Sequence, residues 1–259
     1  MKNRTKTKRM EKRPYRSVSY ILVFVMGFLF ASLAYEINFA GNAKQLKLIE
    51  TTKIVYATSN VVAVSSQDNA GLIGKVTAEI RPGGEGRVLI NTNPFLEPDT
   101  QQSAETATKV AESYTGKSLG DRDIILSFNI TGEVLGGPSA GAAMTTAVIA
   151  AIEGKTVRSN AVITGTINND STVGPIGGIL EKAAAAAENN MTLFLIPKGQ
   201  GKLQYYEQKV QEQKIGRFVY QRIYYVPKTI DVNNYTMTQW NMPTKEVSTI
   251  SDAVGYMIE

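Results

Sequence analysis

An uncharged apolar stretch near the N-terminus restricts the fold of this 259-residue chain more than any other segment. Residues 17–35, SVSYILVFVMGFLFASLAY, form a run of 19 residues without a charge, long enough for a helix to cross a lipid bilayer. The run has no polar face, so a helix buried in a globular core is a poor alternative. The sequence therefore predicts one transmembrane anchor at residues 17–35.

The residues before this stretch predict its orientation. Residues 1–16 carry eight Lys or Arg and a single acid, Glu11, and the positive-inside rule places such a tail in the cytoplasm. The rest of the chain then lies outside the cytoplasm. A cleaved signal peptide remains an alternative, because Ser32-Leu33-Ala34 is an acceptable cleavage site, although the apolar run is longer than most signal peptides have.

Charge and composition exclude several function classes. The net charge is +5, but beyond the tail 20 basic and 22 acidic residues leave −2, so no nucleic-acid partner is expected. The chain has no cysteine and no histidine, which excludes disulfides, thiol nucleophiles and the usual zinc sites. We expect no metal and no cofactor.

The remainder predicts a connector at residues 36–50 and one α+β domain at residues 51–259. Strands are expected at residues 52–66, two within 71–92, and at 122–130, 160–167, 192–199 and 217–227. Helices are expected at residues 100–115, from Ser139 to Glu153, and at 177–190, 202–214 and 248–258. The segment AESYTGKS resembles a Walker A loop, but Ala111 replaces its first glycine and it ends a helix. No ATPase module is recognisable.

The motif GPSAG, residues 137–141, makes Ser139 a candidate nucleophile. Pro138 suits the first turn of a helix, where the amides of Ser139 or Ala140 have no intrahelical partner and can hold an oxyanion. Gly136 and Gly137 would let a substrate backbone approach closely. The alternative is that Ser139 only caps an alanine-rich core helix.

A serine nucleophile needs a base, and without histidine the remaining side chain is lysine. Lysine has a pKa of about 10.4 in water, and burial or the N-terminus of a helix lowers it. Lys182 meets both conditions, because it follows GPIGGIL and precedes AAAAA in a predicted helix. Lys182 is therefore the candidate general base.

Residues 136–199, which contain GGPSAG and PIGGILEK, resemble the proteolytic domain of Lon proteases. In that family the serine of DGPSAG pairs with the lysine of PIGG-x-x-EK, and these positions are Ser139 and Lys182 at matching spacing. The resemblance implies the Lon-type α+β fold, a Ser–Lys peptidase, Thr164 as a partner of Lys182, and a possible homo-oligomeric ring. Gly136 replaces the family's acid and Thr166 replaces the glutamate of its TGE turn, which leaves cleavage preference and activation open.

The function predicted is a membrane-anchored serine endopeptidase that cleaves flexible or unfolded polypeptides without ATP. Two alternatives remain: a non-catalytic membrane-tethered binding module of the same fold, and a small-molecule kinase with a glycine-rich phosphate loop. The kinase alternative leaves GPIGGILEK unexplained. Residues 200–247 extend beyond the family's usual end, and the aromatic residues of 223–240 either line the substrate cleft or pack an edge of the domain.

Overall fold

In the computed structural model the described residues are Met26, 47–48, 53–93, 95–131 and 134–259. The chain divides into two compact units, Met1–Gln45 and Leu46–Glu259. Within the described ranges, no helix is both long and apolar enough to cross a membrane. The basic tail, the predicted anchor apart from Met26, and most of the connector lie outside these ranges, so the anchor stays a prediction.

The unit Leu46–Glu259 has a mixed α/β fold. Its strands are β1 (Lys47–Leu48), β2 (Val55–Val64), β3 (Gly71–Pro82), β4 (Val88–Thr92), β5 (Phe95–Leu96), β6 (Lys117–Ser118), β7 (Arg122–Ile130), β8 (Val134–Leu135), β9 (Ala161–Ile163), β10 (Thr166–Ile167), β11 (Val173–Gly174), β12 (Leu193–Pro197), β13 (Lys202–Ile215), β14 (Phe218–Asp231) and β15 (Thr244–Val247). Its helices are α1 (Pro98–Thr115), α2 (Gly141–Glu153), α3 (Ile179–Glu188), α4 (Val232–Trp240) and α5 (Ile250–Met257), with a short 3₁₀ helix at Pro138–Ala140.

A seven-stranded mixed sheet forms the centre of this unit, in the order β15-β12-β9-β2-β3-β7-β4. The strands from β15 to β2 run parallel, whereas β3 is antiparallel to both neighbours and β4 is parallel to β7. The turn RPGGEG therefore joins β3 to β4 across the intervening strand β7. Alternate residues of β7 face the core, as its alternating sequence predicts.

Helices cover both faces of the sheet, which creates two hydrophobic cores. One core combines α1, α2 and α5 with sheet residues such as Val61, Leu126 and Leu195. The other combines α3 and α4 with Val62, Val162 and Phe194 on the opposite face. Helix α2 is buried along almost its whole length, because its small alanines let it pack closely against its neighbours.

The order of elements around β9 determines where the site forms. Helix α2 precedes β9 and α3 follows it, so the N-termini of both helices lie at the carboxyl end of this strand. The amide of Ala142 donates to the carbonyl of Gly165 at 3.0 Å, and the amide of Gly165 donates to the carbonyl of Ser139 at 2.9 Å. These bonds fix the start of α2 to the end of β9.

Most predicted elements are confirmed, including the helix stops at Gly116 and Gly154, which both adopt positive φ. The predicted helix at residues 202–214 is wrong, because this segment is strand β13, paired with β14 in a long hairpin. Its Lys, Glu and Gln residues favour a helix locally. The Val-, Ile- and Tyr-rich β14 supplies a continuous pairing partner after a two-residue turn at Gly216, and this pairing overrides the local preference.

Candidate active site

Ser139 lies in the 3₁₀ helix Pro138–Ala140, directly before α2, and is half-buried. Gly137 precedes this helix with φ +80° and ψ 149°, a conformation that only glycine adopts readily. The chain therefore turns sharply at Gly137 and presents the next residues at the start of a helix. Helical amides in a first turn have no intrahelical acceptor, so they are available to a developing oxyanion.

Helix α1 holds the serine loop in place from the side. The amide of Gly137 donates to Asp99 Oδ1 at 3.3 Å, and Ser103 Oγ donates to the carbonyl of Pro138 at 3.3 Å. Thr100 Oγ1 donates to the carbonyl of Gly137 at 3.4 Å. Sequence reasoning missed these positioning residues, because the contacts join segments more than thirty residues apart and follow no motif.

Lys182 is the fourth residue of α3, and its side chain points into the interior. The residue is only 4% exposed, and its amide makes the first hydrogen bond of the helix, to the carbonyl of Gly178 at 3.0 Å. Burial lowers the pKa of Lys182 to about 8, and the charge of the neighbouring Glu181 opposes this shift. A substantial fraction of Lys182 is therefore neutral near physiological pH.

The hydroxyl group of Thr164 connects Lys182 to the serine loop. Lys182 Nζ donates to Thr164 Oγ1 at 3.4 Å, and Thr164 Oγ1 donates to the carbonyl of Ser139 at 3.3 Å. Thr164 is fully buried directly after β9. Within the described hydrogen bonds, Lys182 Nζ contacts this hydroxyl and not Ser139 Oγ. Hydrogen bonds between catalytic groups often form only when substrate binds.

Ser139 and Lys182 line one open cleft of about 410 Å³. The cleft is also lined by Gly137, Pro138, Thr166, Pro175, Ile176 and Gly177. The sequence predicted Gly137 as a substrate-binding residue. It also identified Thr166 as the residue that replaces the glutamate of the TGE turn in Lon proteases. The structure therefore brings together the serine, the lysine and one of the two predicted substrate-binding glycines.

Gly136, the other predicted substrate-binding glycine, is exposed and lies beside Glu97. A Cβ atom at position 136 would clash with the carboxylate of Glu97, which occupies that space. An acidic group is thus present next to position 136, although the residue itself is glycine. It comes from the residue that precedes α1.

The aromatic residues of 223–240 do not line this cleft. Tyr224 and Tyr225 belong to the exposed part of β14. Tyr235 and Trp240 pack edge to face within α4, with ring centroids 5.5 Å apart. Of the two interpretations of this segment, packing at an edge of the domain fits Tyr235 and Trp240, and neither fits the exposed Tyr224 and Tyr225.

Residues 106–219 match the Lon protease (S16) C-terminal proteolytic domain. The matched range contains Ser139, Thr164 and Lys182, the three residues that the structure joins at the cleft. The mixed α/β fold is consistent with this Lon proteolytic domain.

Curated proteins that are similar to this chain are named Lon protease or archaeal Lon protease. An archaeal Lon protease of Archaeoglobus fulgidus is 30% identical over 158 residues, covering 60% of this chain and 25% of the relative. The archaeal Lon protease of Thermococcus kodakarensis is 27% identical over 164 residues, which cover 62% of this chain and 25% of the relative. A Lon protease of Phenylobacterium zucineum is 35% identical over 123 residues, which cover 45% of this chain and 15% of the relative. The chain thus spans about a quarter of the archaeal relatives' length, and the similarity supports a serine endopeptidase.

Proposed function

We propose that this chain is a serine endopeptidase that hydrolyses peptide bonds in flexible or unfolded polypeptides with Ser139 and Lys182. The observation that carries the proposal is the chain of contacts from Lys182 through Thr164 to the Ser139 loop, at one cleft. The similarity to the Lon proteolytic domain supports the same reaction.

In the proposed mechanism, neutral Lys182 Nζ takes the proton of Ser139 Oγ as this oxygen attacks the scissile carbonyl. The amides of Ser139 and Ala140 stabilise the oxyanion that forms. Protonated Lys182 then gives its proton to the leaving amine, which departs and leaves an acyl-enzyme. Lys182 next activates a water molecule, which hydrolyses the ester and restores Ser139.

The buried position of Lys182 supports its role as the base. A free lysine with a pKa of about 10.4 is neutral in only about one molecule in 2,500 at about pH 7. With a pKa of about 8, roughly one Lys182 in ten is neutral at that pH. The fraction of neutral base in the site is therefore higher by about two hundredfold, and activity should rise with pH up to about 8.

The proposal includes a membrane anchor at residues 17–35, with residues 1–16 in the cytoplasm and the peptidase domain outside it. It also includes cleavage without ATP, since the Walker-like segment spans the end of α1 and the strand β6, where no phosphate-binding loop forms. A homo-oligomeric ring would be compatible with both features.

The experiment uses the full chain, an unfolded protein such as casein, and a serine-directed covalent reagent, without nucleotide or added metal. Wild-type protein should cleave casein and carry the reagent on Ser139, as found by mass spectrometry of the peptide containing GGPSAG. The Ser139→Ala and Lys182→Arg variants should fold and lose cleavage, because one lacks the nucleophile and the other cannot deprotonate. Ser66→Ala is the matched control, since Ser66 is exposed on a loop.

If wild-type protein neither cleaves casein nor carries the label at its best pH, the peptidase proposal is wrong and a non-catalytic binding module takes its place. Retained cleavage in Lys182→Arg would remove Lys182 from the mechanism. A reaction that requires nucleotide and Mg²⁺ would instead support the small-molecule kinase.

A further inference from the structure

The β13–β14 hairpin extends from the domain with little contact to it. Every residue from 208 to 225 is exposed. Only Leu203, Glu207, Val226 and Ile230, all nearer the base, are partly buried along the two strands. A two-stranded ribbon has no core of its own and is marginally stable in water. An additional surface that covers part of this hairpin would therefore stabilise it.

The tip of the hairpin concentrates apolar side chains. Ile215, Phe218, Val219 and Tyr220 surround the turn, and each is between 57% and 70% exposed. They belong to the paired ends of β13 and β14, and the hairpin holds them exposed. Such a cluster at the end of a projecting element is typical of an interaction surface.

The charges around the tip are mostly positive. Residues 211–222, which end at the pair Gln211–Arg222, contain three basic side chains, Lys214, Arg217 and Arg222, and one acid, Glu212. The apolar cluster is therefore bordered by a net positive charge, which complements an anionic surface. A second copy of the same tip would bring like charges together, which disfavours pairing between copies.

We propose that the hairpin tip inserts into the interface of a lipid bilayer that contains anionic lipids. Ile215, Phe218 and Val219 would enter the acyl-chain boundary, while Tyr220 would lie at the headgroup level that amphipathic aromatic rings favour. Lys214 and Arg217 would contact lipid phosphates. The tip would then be a membrane contact of this domain in its own right, independent of both the predicted anchor and the peptidase activity.

The experiment exploits the absence of cysteine from the chain, which allows one fluorophore to be placed at a chosen position. The full-length Val219→Cys protein carries an environment-sensitive dye and is reconstituted into vesicles of phosphatidylcholine and phosphatidylglycerol. The matched control is Tyr206→Cys, since position 206 is exposed on the same face of the hairpin. It lies about 27 Å from the tip along the strand.

The dye at position 219 should become brighter and blue-shifted, and lipids with a quencher in the acyl chain should quench it, whereas the dye at position 206 should stay in water. Lys214→Gln combined with Arg217→Gln should weaken partitioning of the tip about 30-fold, and vesicles of phosphatidylcholine alone should have a similar effect. These variants should cleave casein in detergent as wild type does, which would show that they are folded.

Three results would overturn the inference. The first is a dye at position 219 that stays in water with anionic vesicles. The second is a dye that is buried but not quenched by the lipid, which would indicate a protein partner; disulfide-linked dimers of unlabelled Val219→Cys protein would then identify it as a second copy. The third is equal quenching at positions 206 and 219, which would place the whole ribbon in the membrane.

Discussion

Thr164 connects the two halves of the site through a single hydroxyl group. This hydroxyl accepts from Lys182 Nζ and donates to the carbonyl of Ser139, so it orients the lysine and fixes the serine loop at once. Because Thr164 is fully buried, bulk solvent does not reach this hydroxyl. In the proposed mechanism, its role is to position Lys182 and the Ser139 loop.

Thr164→Val should lower kcat about 10- to 100-fold with little change in KM, because valine keeps the volume but removes both hydrogen bonds. Thr164→Ser should restore most of the activity, since it retains the hydroxyl. Steady-state cleavage of a fluorogenic peptide, together with the pH profile, measures both effects. A Thr164→Val enzyme with the wild-type pH profile and kcat would show that the threonine only packs the core.

The buried charge of Lys182 lowers the free energy of unfolding by an amount that depends on pH. Its pKa is about 8 in the folded protein, compared with an ordinary value of 10.5. Below pH 8 both folded and unfolded states hold the proton, and the folded state bears the full cost of the buried charge, about 3 kcal/mol. Between pH 8 and 10.5 the unfolded state binds more protons, so the free energy of unfolding rises with pH.

Lys182→Met should therefore be inactive yet more stable than wild type at about pH 7, by about 1–3 kcal/mol, and this advantage should shrink towards about pH 10. Urea denaturation at both pH values measures the difference. Lys109→Met serves as the control, because Lys109 is exposed on α1 and should show no such pH-dependent gain. An advantage that is the same at both pH values would contradict the argument.

At the scale of single elements, the turn before α2 depends on the backbone of Gly137. Its φ of +80° with ψ of 149° lies in a region that is nearly restricted to glycine. The neighbouring Gly136 does not have a positive φ, and the atoms nearest to a side chain there belong to the carboxylate of Glu97. Of these two adjacent positions, only 137 therefore has a backbone conformation that requires glycine.

Gly137→Ala should destabilise the protein by about 1–3 kcal/mol and lower kcat, because the strained turn would shift Ser139 from its place at the helix start. Gly136→Ala should cost clearly less stability, since Glu97 can rotate away. Thermal unfolding of both variants, together with labelling of Ser139, tests the pair. Equal losses in the two variants would show that the turn tolerates a side chain at Gly137.

The elements that the sequence predicted well have local signals. Helices α2 and α3 combine small residues with a glycine before or after them, and β7 alternates apolar and polar residues. The segment from 202 to 215 has helix-favouring Lys, Glu and Gln residues, and only its pairing with β14 makes it a strand. Helix α4 was not predicted at all.

For the site, the sequence predicted that Ser139 and Lys182 act together, because a missing histidine leaves few bases for a serine, and the structure places both at one cleft. The hydrogen bonds from α1 could not be predicted, since Asp99 and Ser103 contact the serine loop only through the tertiary fold. The same holds for Glu97, which lies beside Gly136 from a distant part of the chain. Local patterns indicate which groups react, whereas packing determines what holds them.

At the scale of the whole molecule, the predicted anchor leads to a test of topology. With eight basic residues before the uncharged span, the peptidase domain should lie outside the cytoplasm. Protease added to spheroplasts of bacteria that express the full chain should digest this domain, while a cytoplasmic marker protein stays intact. Protection of the domain until the membrane is dissolved would show the opposite orientation, and its release with the soluble fraction would indicate a cleaved signal peptide.

The two cores on opposite faces of the sheet have a consequence for the newly made chain. Ser139 lies directly before α2, which packs into one core, and Lys182 belongs to α3, which packs into the other. A chain that has assembled only one layer holds a serine without its base, or a base without its serine. In the proposed mechanism, peptide cleavage therefore requires the complete fold, so a half-assembled copy would not digest itself or the unfinished copies around it.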